Sequence, residues 1–224
     1  MMVHVGDITK IHGYDLEPVD VITGGSPCQD LSVAGKRAGL AGERSGLFME
    51  QIRVIKEMRY PERYRTDRAD KLVRPIRDED RKPRYAIWEN VPGALSSPGG
   101  EHKGEDFQAV LEEFVHIVCE EAPAIPIPKN GWPSAGCLTD GVDGRWSIAW
   151  RIHDAQFWGV PQRRRRISLV ADFAGLTATE ILFERESLQR DSEPSIEEGQ
   201  GAAGDIRESV EESKAYTLQI RGGR

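Results

Sequence analysis

Apolar residues fall along this chain in two kinds of run: short unbroken blocks and longer stretches at helical spacing. Val19-Asp20-Val21-Ile22-Thr23 is a short block that ends in Gly24-Gly25-Ser26-Pro27, which predicts a buried strand entering a loop. From Ser45, Leu47, Phe48, Ile52, Ile55 and Met58 recur near the helical period and predict an amphipathic helix. Tyr60 to Lys82 is charged, holds Pro61 and Pro75 and has no clean period, so it reads as an exposed insertion. Tyr85-Ala86-Ile87-Trp88 predicts a second strand, stopped by Glu89-Asn90-Val91-Pro92-Gly93. Phe107, Val110, Leu111, Phe114 and Val118 mark a second amphipathic helix. Ala122 to Gly144 is rich in Pro and Gly and is expected to be loop. Trp146–Ile152 and Ile167–Val170 complete the expected strands, with a turn at Gly159-Val160-Pro161. Strands alternating with helices predict an α/β domain with a mostly parallel sheet.

Beyond about Thr179 the character changes. Glu193, Glu197, Glu198, Glu208, Glu211 and Glu212 mix with Gly and Ser, a linker-like composition. The expected organisation is a packed domain over 1–178 followed by an acidic segment over 179–224. The 224 residues suffice for a sizeable core. Thirty Lys+Arg against 37 Asp+Glu give a formal charge of -7, unlike a small, uniformly basic nucleic-acid binder. The distribution is uneven, however: basic residues crowd Arg53 to Arg84, and Arg163 to Arg166 form an unbroken run. A polyanion needs positive charge only along its groove, so the negative total leaves DNA open. Cys28, Cys119 and Cys137 lack the spacing of a disulfide framework or a zinc site. With no signal-like segment and no apolar run of membrane length, the expectation is an intracellular chain with free thiols and no metal.

Three segments carry candidate chemistry. Gly24-Gly25-Ser26-Pro27-Cys28-Gln29-Asp30-Leu31-Ser32 places a cysteine after a strand in a Gly/Pro loop, at the sheet edge where α/β sites gather. Loop amides can stabilise a thiolate there, although cysteines more often serve as small core residues. Glu89, in Trp88-Glu89-Asn90-Val91, sits on the same edge if the strands are neighbours. A partly desolvated glutamate can pass a proton to a ring nitrogen; alone, it is more commonly an exposed residue starting a turn. In Gly159 to Ile167, a strand would put Gln162, Arg164 and Arg166 on one face and Arg163 and Arg165 on the other. Guanidinium forks suit carbonyl and phosphate oxygens, and the plainer alternative is a basic surface patch.

Together these segments resemble the DNA cytosine-5 methyltransferase family. Its Pro-Cys-Gln loop, Glu-Asn-Val segment and Gln-x-Arg-x-Arg strand match Pro27-Cys28-Gln29, Glu89-Asn90-Val91 and Gln162-x-Arg164-x-Arg166, in order. Gly35-Lys36, Gly39-Leu40 and Arg44-Ser45-Gly46-Leu47-Phe48 look like the family's mobile loop and following helix, and Gly6-Asp7-Ile8 like its acidic cofactor element. The resemblance covers roughly Val3 to Phe173 and implies a Rossmann-like, S-adenosylmethionine-dependent methyltransferase core. It assigns catalysis to Cys28, Glu89, Arg164 and Arg166, the cofactor to Asp7, Ile8, Pro27 and Leu47, and DNA contacts to Gln29, Ser32, Lys36, Arg44 and Gln162. By resemblance, the Cys28 thiolate adds to carbon 6 of a cytosine flipped out of double-stranded DNA, and carbon 5 takes the methyl group. A prokaryotic or phage-encoded cytoplasmic enzyme, of the kind found in restriction-modification, is the implied setting.

The family's Gly-rich Phe-x-Gly-x-Gly loop and its ribose-binding acidic residue have no counterpart here. Nor does its target-recognition domain, of which 179–224 could be only the start. The resemblance therefore implies an incomplete core that binds the methyl donor weakly by itself, leaves an open edge beside the Cys28 strand, and could need a complementing chain. Two other readings stay open: an inactive DNA-binding remnant, and an RNA cytosine methyltransferase of the same fold. A cysteine hydrolase is excluded by the lack of a histidine in a supporting motif. Trp132, Trp146, Trp150 and Trp158 are expected to pack the core rather than stack on bases.

Overall fold

A computed structural model describes residues 2–26, 46–64, 76–97, 100–141, 144–159, 161–183 and 216–220. Pro27, Cys28, Gln29, Ser32, Lys36 and Arg44 lie outside the described residues, as does most of the acidic segment. The strands are β1 (Val21–Gly24), β2 (Tyr85–Asn90), β3 (Ala135–Asp140), β4 (Ser147–Asp154), β5 (Arg165–Asp172) and β6 (Tyr216–Ile220). The helices are α1 (Gly46–Arg59), α2 (Pro61–Tyr64), α3 (Glu105–Val115) and α4 (Ala178–Leu182). One sheet joins the strands in the order β1-β2-β5-β4-β3-β6.

The α/β class stands, but the expected parallel character does not. β1 runs parallel to β2, and β3 to β6, whereas β2–β5, β5–β4 and β4–β3 are antiparallel. Connection length explains the difference. α1 lies between β1 and β2 and gives the chain the crossover that parallel strands need. Among the described residues only the 3-10 turn Ala155–Trp158 and short loops join β3, β4 and β5, too little for a crossover, so the chain folds back on itself in a meander. The region expected to be loop, Ala122 to Gly144, contains β3, and with it Cys137. The linker-like tail returns a strand to the sheet, β6, which pairs with β3 from Gly136↔Tyr216 to Asp140↔Ile220.

The helical spacing was sound because it marks one buried stripe per helix. Phe48, Ile52 and Ile55 of α1 and Phe107, Val110, Leu111 and Phe114 of α3 are almost wholly buried in one cluster. They meet Ala86 and Trp88 of β2, Ile148 and Trp150 of β4, and Ile167, Leu169 and Ala171 of β5. Strand alternation sends Ile87, Ala149 and Val170 to the other face, which α4 covers through Ala178 and Leu182. Trp132, Trp146 and Trp150 are buried as expected. The indole N–H of Trp132 donates to the Gly104 carbonyl (2.8 Å), and that of Trp150 to Pro133 (3.1 Å), so neither polar edge is left unpaired.

Part of the basic crowding between Arg53 and Arg84 is bound up with the chain itself. Arg59 is buried between the rings of Tyr60 and Phe173 and donates to the carbonyls of Arg81 (3.1 Å) and Pro83. Arg81 returns a bond to the Arg59 carbonyl (2.7 Å) and pairs with Glu62 (2.8 Å). Arg84 grips the fully buried Asp172 with both Nε and Nη2, each at 3.1 Å. These arginines tie the α1 end to the rim where β2 starts and β5 ends.

Burial pushes the Asp172 carboxyl up, but bonds from Arg84, Thr177 and Ala174 outweigh it and hold the group below the ordinary carboxylate range. A folded value below the unfolded one gives stability that is present at neutral pH and lost as pH falls through the folded value. Asp172→Asn should cost about 2 kcal/mol at neutral pH, the scale of charge-assisted bonds lost at a buried site. In urea melts, the gap between variant and parent should shrink as pH is taken towards about 2.

Candidate active site

The rim opposite Asp172 gathers the ends of four strands. β1 and β2 finish there, side by side and parallel, with Gly24 level with Trp88. β5 begins there, so Glu89 lies across from Ser168 and Asn90 from Ile167. β4 ends there, with Asp154 opposite Arg165. This places the loop that leaves β1 towards Cys28 on the same edge as Glu89 and Arg166.

Asn90 makes that edge rigid. Its side chain is buried, donates from Nδ2 to the Ser26 carbonyl (2.9 Å), and accepts the Val91 N–H at Oδ1 (2.8 Å). Trp88 adds a bond from Nε1 to Ser26 Oγ (3.3 Å). The chain is thus held at Ser26, two residues before Cys28 in sequence. Just upstream, a Cβ on Gly24 would fall 2.3 Å from Oε1 of Gln51, and one on Gly25 would fall 3.3 Å from Oε2 of Glu89. Glycine at Gly24 lets α1 approach the strand end, where Gln51 donates to the Ile87 carbonyl (3.3 Å).

Glu89 projects from β2 on the face shared with Ile87 and is half-exposed. Arg166 Nε and Glu89 Oε1 form an ion pair at 2.7 Å, with 32% and 46% of the two side chains left to solvent. The pair is short and reachable from outside, a carboxylate held in one orientation by a guanidinium. The strand starts at Arg165, so the expected alternation over Gln162 to Arg166 holds only for its last two residues. Gln162, Arg163 and Arg164 precede β5 and are exposed, as is Arg165. Of the arginines assigned to catalysis, Arg166 meets Glu89. Arg164 is held by its backbone instead: its N–H donates to Asp154 Oδ1 (3.1 Å), and its carbonyl accepts the Ala155 N–H (3.1 Å).

Asp154 was not singled out in the sequence, yet it also caps the 3-10 turn Ala155–Trp158 through the Gln156 N–H. An Asp just before a turn was the available signal. Asn90 lay inside a quoted triplet without a role, because a buried amide bonding to a backbone carbonyl leaves no pattern in sequence.

The remaining candidates sit along α1. Asp7 caps the 3-10 turn Ile8–Lys10, accepting the Thr9 N–H (3.0 Å) and hydroxyl (2.9 Å), both at Oδ1. The Thr9 amide, then its hydroxyl, hold this exposed carboxyl below its ordinary value, so it is ionised at neutral pH. Ile8 is half-buried beside it, and Leu47 is exposed in the first turn of α1. A carboxylate next to an apolar side chain is a donor set that fits a ligand bearing an amino group on a flat ring. Among the described residues there is no cluster of metal-ligating side chains, and no helix is long and apolar enough to cross a membrane.

The fold is an α/β methyltransferase core, and its rim joins a carboxylate–guanidinium pair to a loop that leads to a cysteine. The chain belongs to the C-5 cytosine-specific DNA methylase family, whose model matches residues 2–117, just over half of it. It is 31% identical over 216 residues to a protein of Escherichia phage P1 named DNA N-6-adenine-methyltransferase, covering 85% of this chain and 25% of that one. It is 27% identical to the type II methyltransferase M.BsuFI of Bacillus subtilis, covering 80% of this chain and 30% of that one. Against M1.ScrFI of Lactococcus lactis subsp. cremoris the identity is again 27%, over 95% of this chain and 39% of the relative. A crystal structure of S. pombe Dnmt2 methyltransferase aligns over 87% of this chain and 42% of its own, with 17% identity and a TM-score of 0.41. The chain thus spans between a quarter and two-fifths of these three curated relatives. None of these names points to a complementing chain.

Removing the Asn90 amide should leave the Ser26 carbonyl and the Val91 N–H without their partner. Asn90→Ala should lower stability by about 2 kcal/mol in chemical denaturation, the scale of two buried bonds lost. Gly24→Ala, which drives a methyl into Gln51, should be destabilising as well, whereas Gln51→Ala combined with it should restore much of the loss.

Proposed function

We propose that this chain carries the catalytic part of a DNA (cytosine-5-)-methyltransferase, which moves a methyl group from S-adenosylmethionine to carbon 5 of a cytosine extruded from duplex DNA. The observation that carries the reading is the Glu89–Arg166 pair at 2.7 Å, on the rim where Asn90 holds the chain two residues before Cys28. The order of the three motifs and the family match support it.

Carbon 5 of cytosine is a weak nucleophile, so the base must first be activated. On this reading the Cys28 thiolate forms a bond to carbon 6, and the electrons of the 5,6 double bond move towards carbon 5. Glu89, oriented by Arg166, meets the ring nitrogen and the exocyclic amine and offsets the charge that develops there. S-adenosylmethionine, when bound, would supply an electrophilic methyl group: carbon 5 would bond to it as the methyl–sulfonium bond breaks and a neutral thioether leaves. Loss of the carbon 5 proton then returns electrons to the ring, and the carbon–sulfur bond breaks to release the Cys28 thiolate. Asp7, Ile8, Pro27 and Leu47 are the residues assigned to the methyl donor. Exposed Gln162 and Arg163 to Arg165 stand at the rim where phosphates and the flipped base would pass. Gln29, Ser32, Lys36 and Arg44 are the further residues assigned to DNA on this reading. Arg164 belongs on this reading with the base-holding groups, its backbone fixed by Asp154. The catalytic unit comprises residues 1–178 together with the rest of α4, to Leu182, which packs onto the sheet, and β6, which pairs with β3; the remainder of 179–224 serves as linker or the beginning of a target-recognition region.

A second reading has one observation behind it: the name of the phage P1 relative specifies the adenine amine. Product analysis separates the two. Duplex DNA incubated with the chain and a high concentration of the methyl donor should yield 5-methylcytosine in digested nucleosides, slowly because on this reading the core is incomplete and binds the donor weakly, and N6-methyladenine instead would sink the cytosine assignment. DNA bearing 5-fluorocytosine should leave a covalent adduct that Cys28→Ala abolishes, which an inactive DNA-binding remnant could not form. Transfer RNA offered in place of DNA should remain unmethylated. Glu89→Gln should slow methyl transfer by about a hundredfold or more, the range for a positioned proton donor, with DNA affinity little changed.

A further inference from the structure

Arg53 lies mid-helix in α1, and its guanidinium is committed to one short stretch of distant chain. Nη2 donates to the carbonyls of Ile8 (2.8 Å) and Ile11 (3.0 Å), residues 45 and 42 positions upstream. Nη1 donates to Glu57 Oε1 (2.9 Å) and Nε to Glu50 Oε2 (2.6 Å). Glu57, itself buried, accepts the Gly13 N–H at its other oxygen (2.7 Å). A Cβ on Gly13 would lie 2.2 Å from the Val54 carbonyl oxygen, so the stretch rests directly on the helix backbone.

Charge pairs one turn apart are ordinary on a helix surface and contribute little alone. The two carbonyls set Arg53 apart, because a guanidinium can bind both from Nη2 while Nη1 and Nε hold Glu57 and Glu50, four acceptors that the three donors of an ammonium cannot all meet. The clamped stretch begins at Ile8, and Asp7 is the residue that caps its first turn. The direction of the Asp7 carboxylate is therefore set from α1, through Arg53.

We propose that Arg53 is a positioning residue for the methyl-donor site: it locks Ile8–Gly13 onto α1 and thereby presents Asp7 and Ile8 to the adenine end of S-adenosylmethionine. This rests on the assignment of Asp7 and Ile8 given above. Arg53 touches no substrate in this scheme and acts only through the loop. Its partners, Glu50 and Glu57, keep the fork in plane.

The test uses the whole chain and two readouts, neither requiring catalysis. Hydrogen exchange follows the Gly13 amide against the Trp88 amide in the sheet, and NMR titration with S-adenosylhomocysteine to millimolar levels registers even a weak site. Arg53→Lys keeps the charge beside Glu50 and Glu57, but its three donors sit on one nitrogen and cannot meet both carbonyls and both carboxylates together. It should speed Gly13 exchange about tenfold, leave Trp88 exchange unchanged, and weaken binding about tenfold, the scale of one charge-assisted bond. Asp7→Ala should weaken binding to a similar extent, and the double variant should bind no worse than the poorer single one. Looser Gly13 with unchanged affinity in Arg53→Lys, while Asp7→Ala does weaken binding, would overturn the role of Arg53 and keep the Asp7 assignment. If the chain binds but neither variant alters affinity, the Asp7 assignment fails and takes the inference with it. Additive losses, or Trp88 exchange rising together with Gly13, would assign Arg53 to general stability and refute the proposal, as would absence of binding by the parent chain.

Discussion

The buried amide of Asn90 joins two strand ends into one surface. Parallel strands with a helical crossover arrive at a common rim, but pairing alone stops at Gly24 and Trp88. Asn90 extends the union by one more contact, to the Ser26 carbonyl, where backbone is leaving the sheet and ladder bonds end. Burial strengthens that bond and makes its loss expensive, since the carbonyl would have nowhere else to turn. Every candidate for chemistry on this rim depends on the position of that loop relative to Glu89.

Charge in this chain is divided by depth. Arg53, Arg59, Arg81 and Arg84 spend their donors on carbonyls and carboxylates of the chain itself, at helix–loop seams and the far rim. Gln162 to Arg165 stay exposed at the near rim, and Arg166 mediates by pairing with Glu89. A formal charge of -7 is compatible with a locally positive edge, because net charge says nothing of where the charges lie. Counting basic residues along the sequence had overstated how many were free to meet a polyanion.

Strand β1 ends the sheet order, and the edge location leaves Val19 and Val21 exposed. Its neighbour in the sheet, β2, lies inside the sheet and continues into the antiparallel meander through β5. The two halves of the sheet thus differ in kind: a crossover half that sets the rim, and a hairpin half that delivers the arginines to it. Asp154 closes the hairpin half by holding the Arg164 N–H and capping the turn before it.

Local pattern was enough for the elements whose information is local. Phe107, Val110, Leu111 and Phe114 announce one buried stripe, and Tyr85 to Trp88 announces a strand, because side-chain periodicity follows backbone geometry directly. The meeting of Glu89 and Arg166 was legible because charged residues are unusual at the ends of buried strands. Strand direction was not legible, since it depends on which connections lack a helix and which edges find partners far along the chain. β3 was hidden by the Pro and Gly that flank it, and β6 by the acidic composition before it. The Arg53 fork, the Arg84–Asp172 grip and the Asn90 bond link residues separated by dozens of positions. Sequence alone determined the class of fold and the chemistry available to it; tertiary structure decided which charges face solvent and which hold the rim together, because only packing brings donors to distant acceptors.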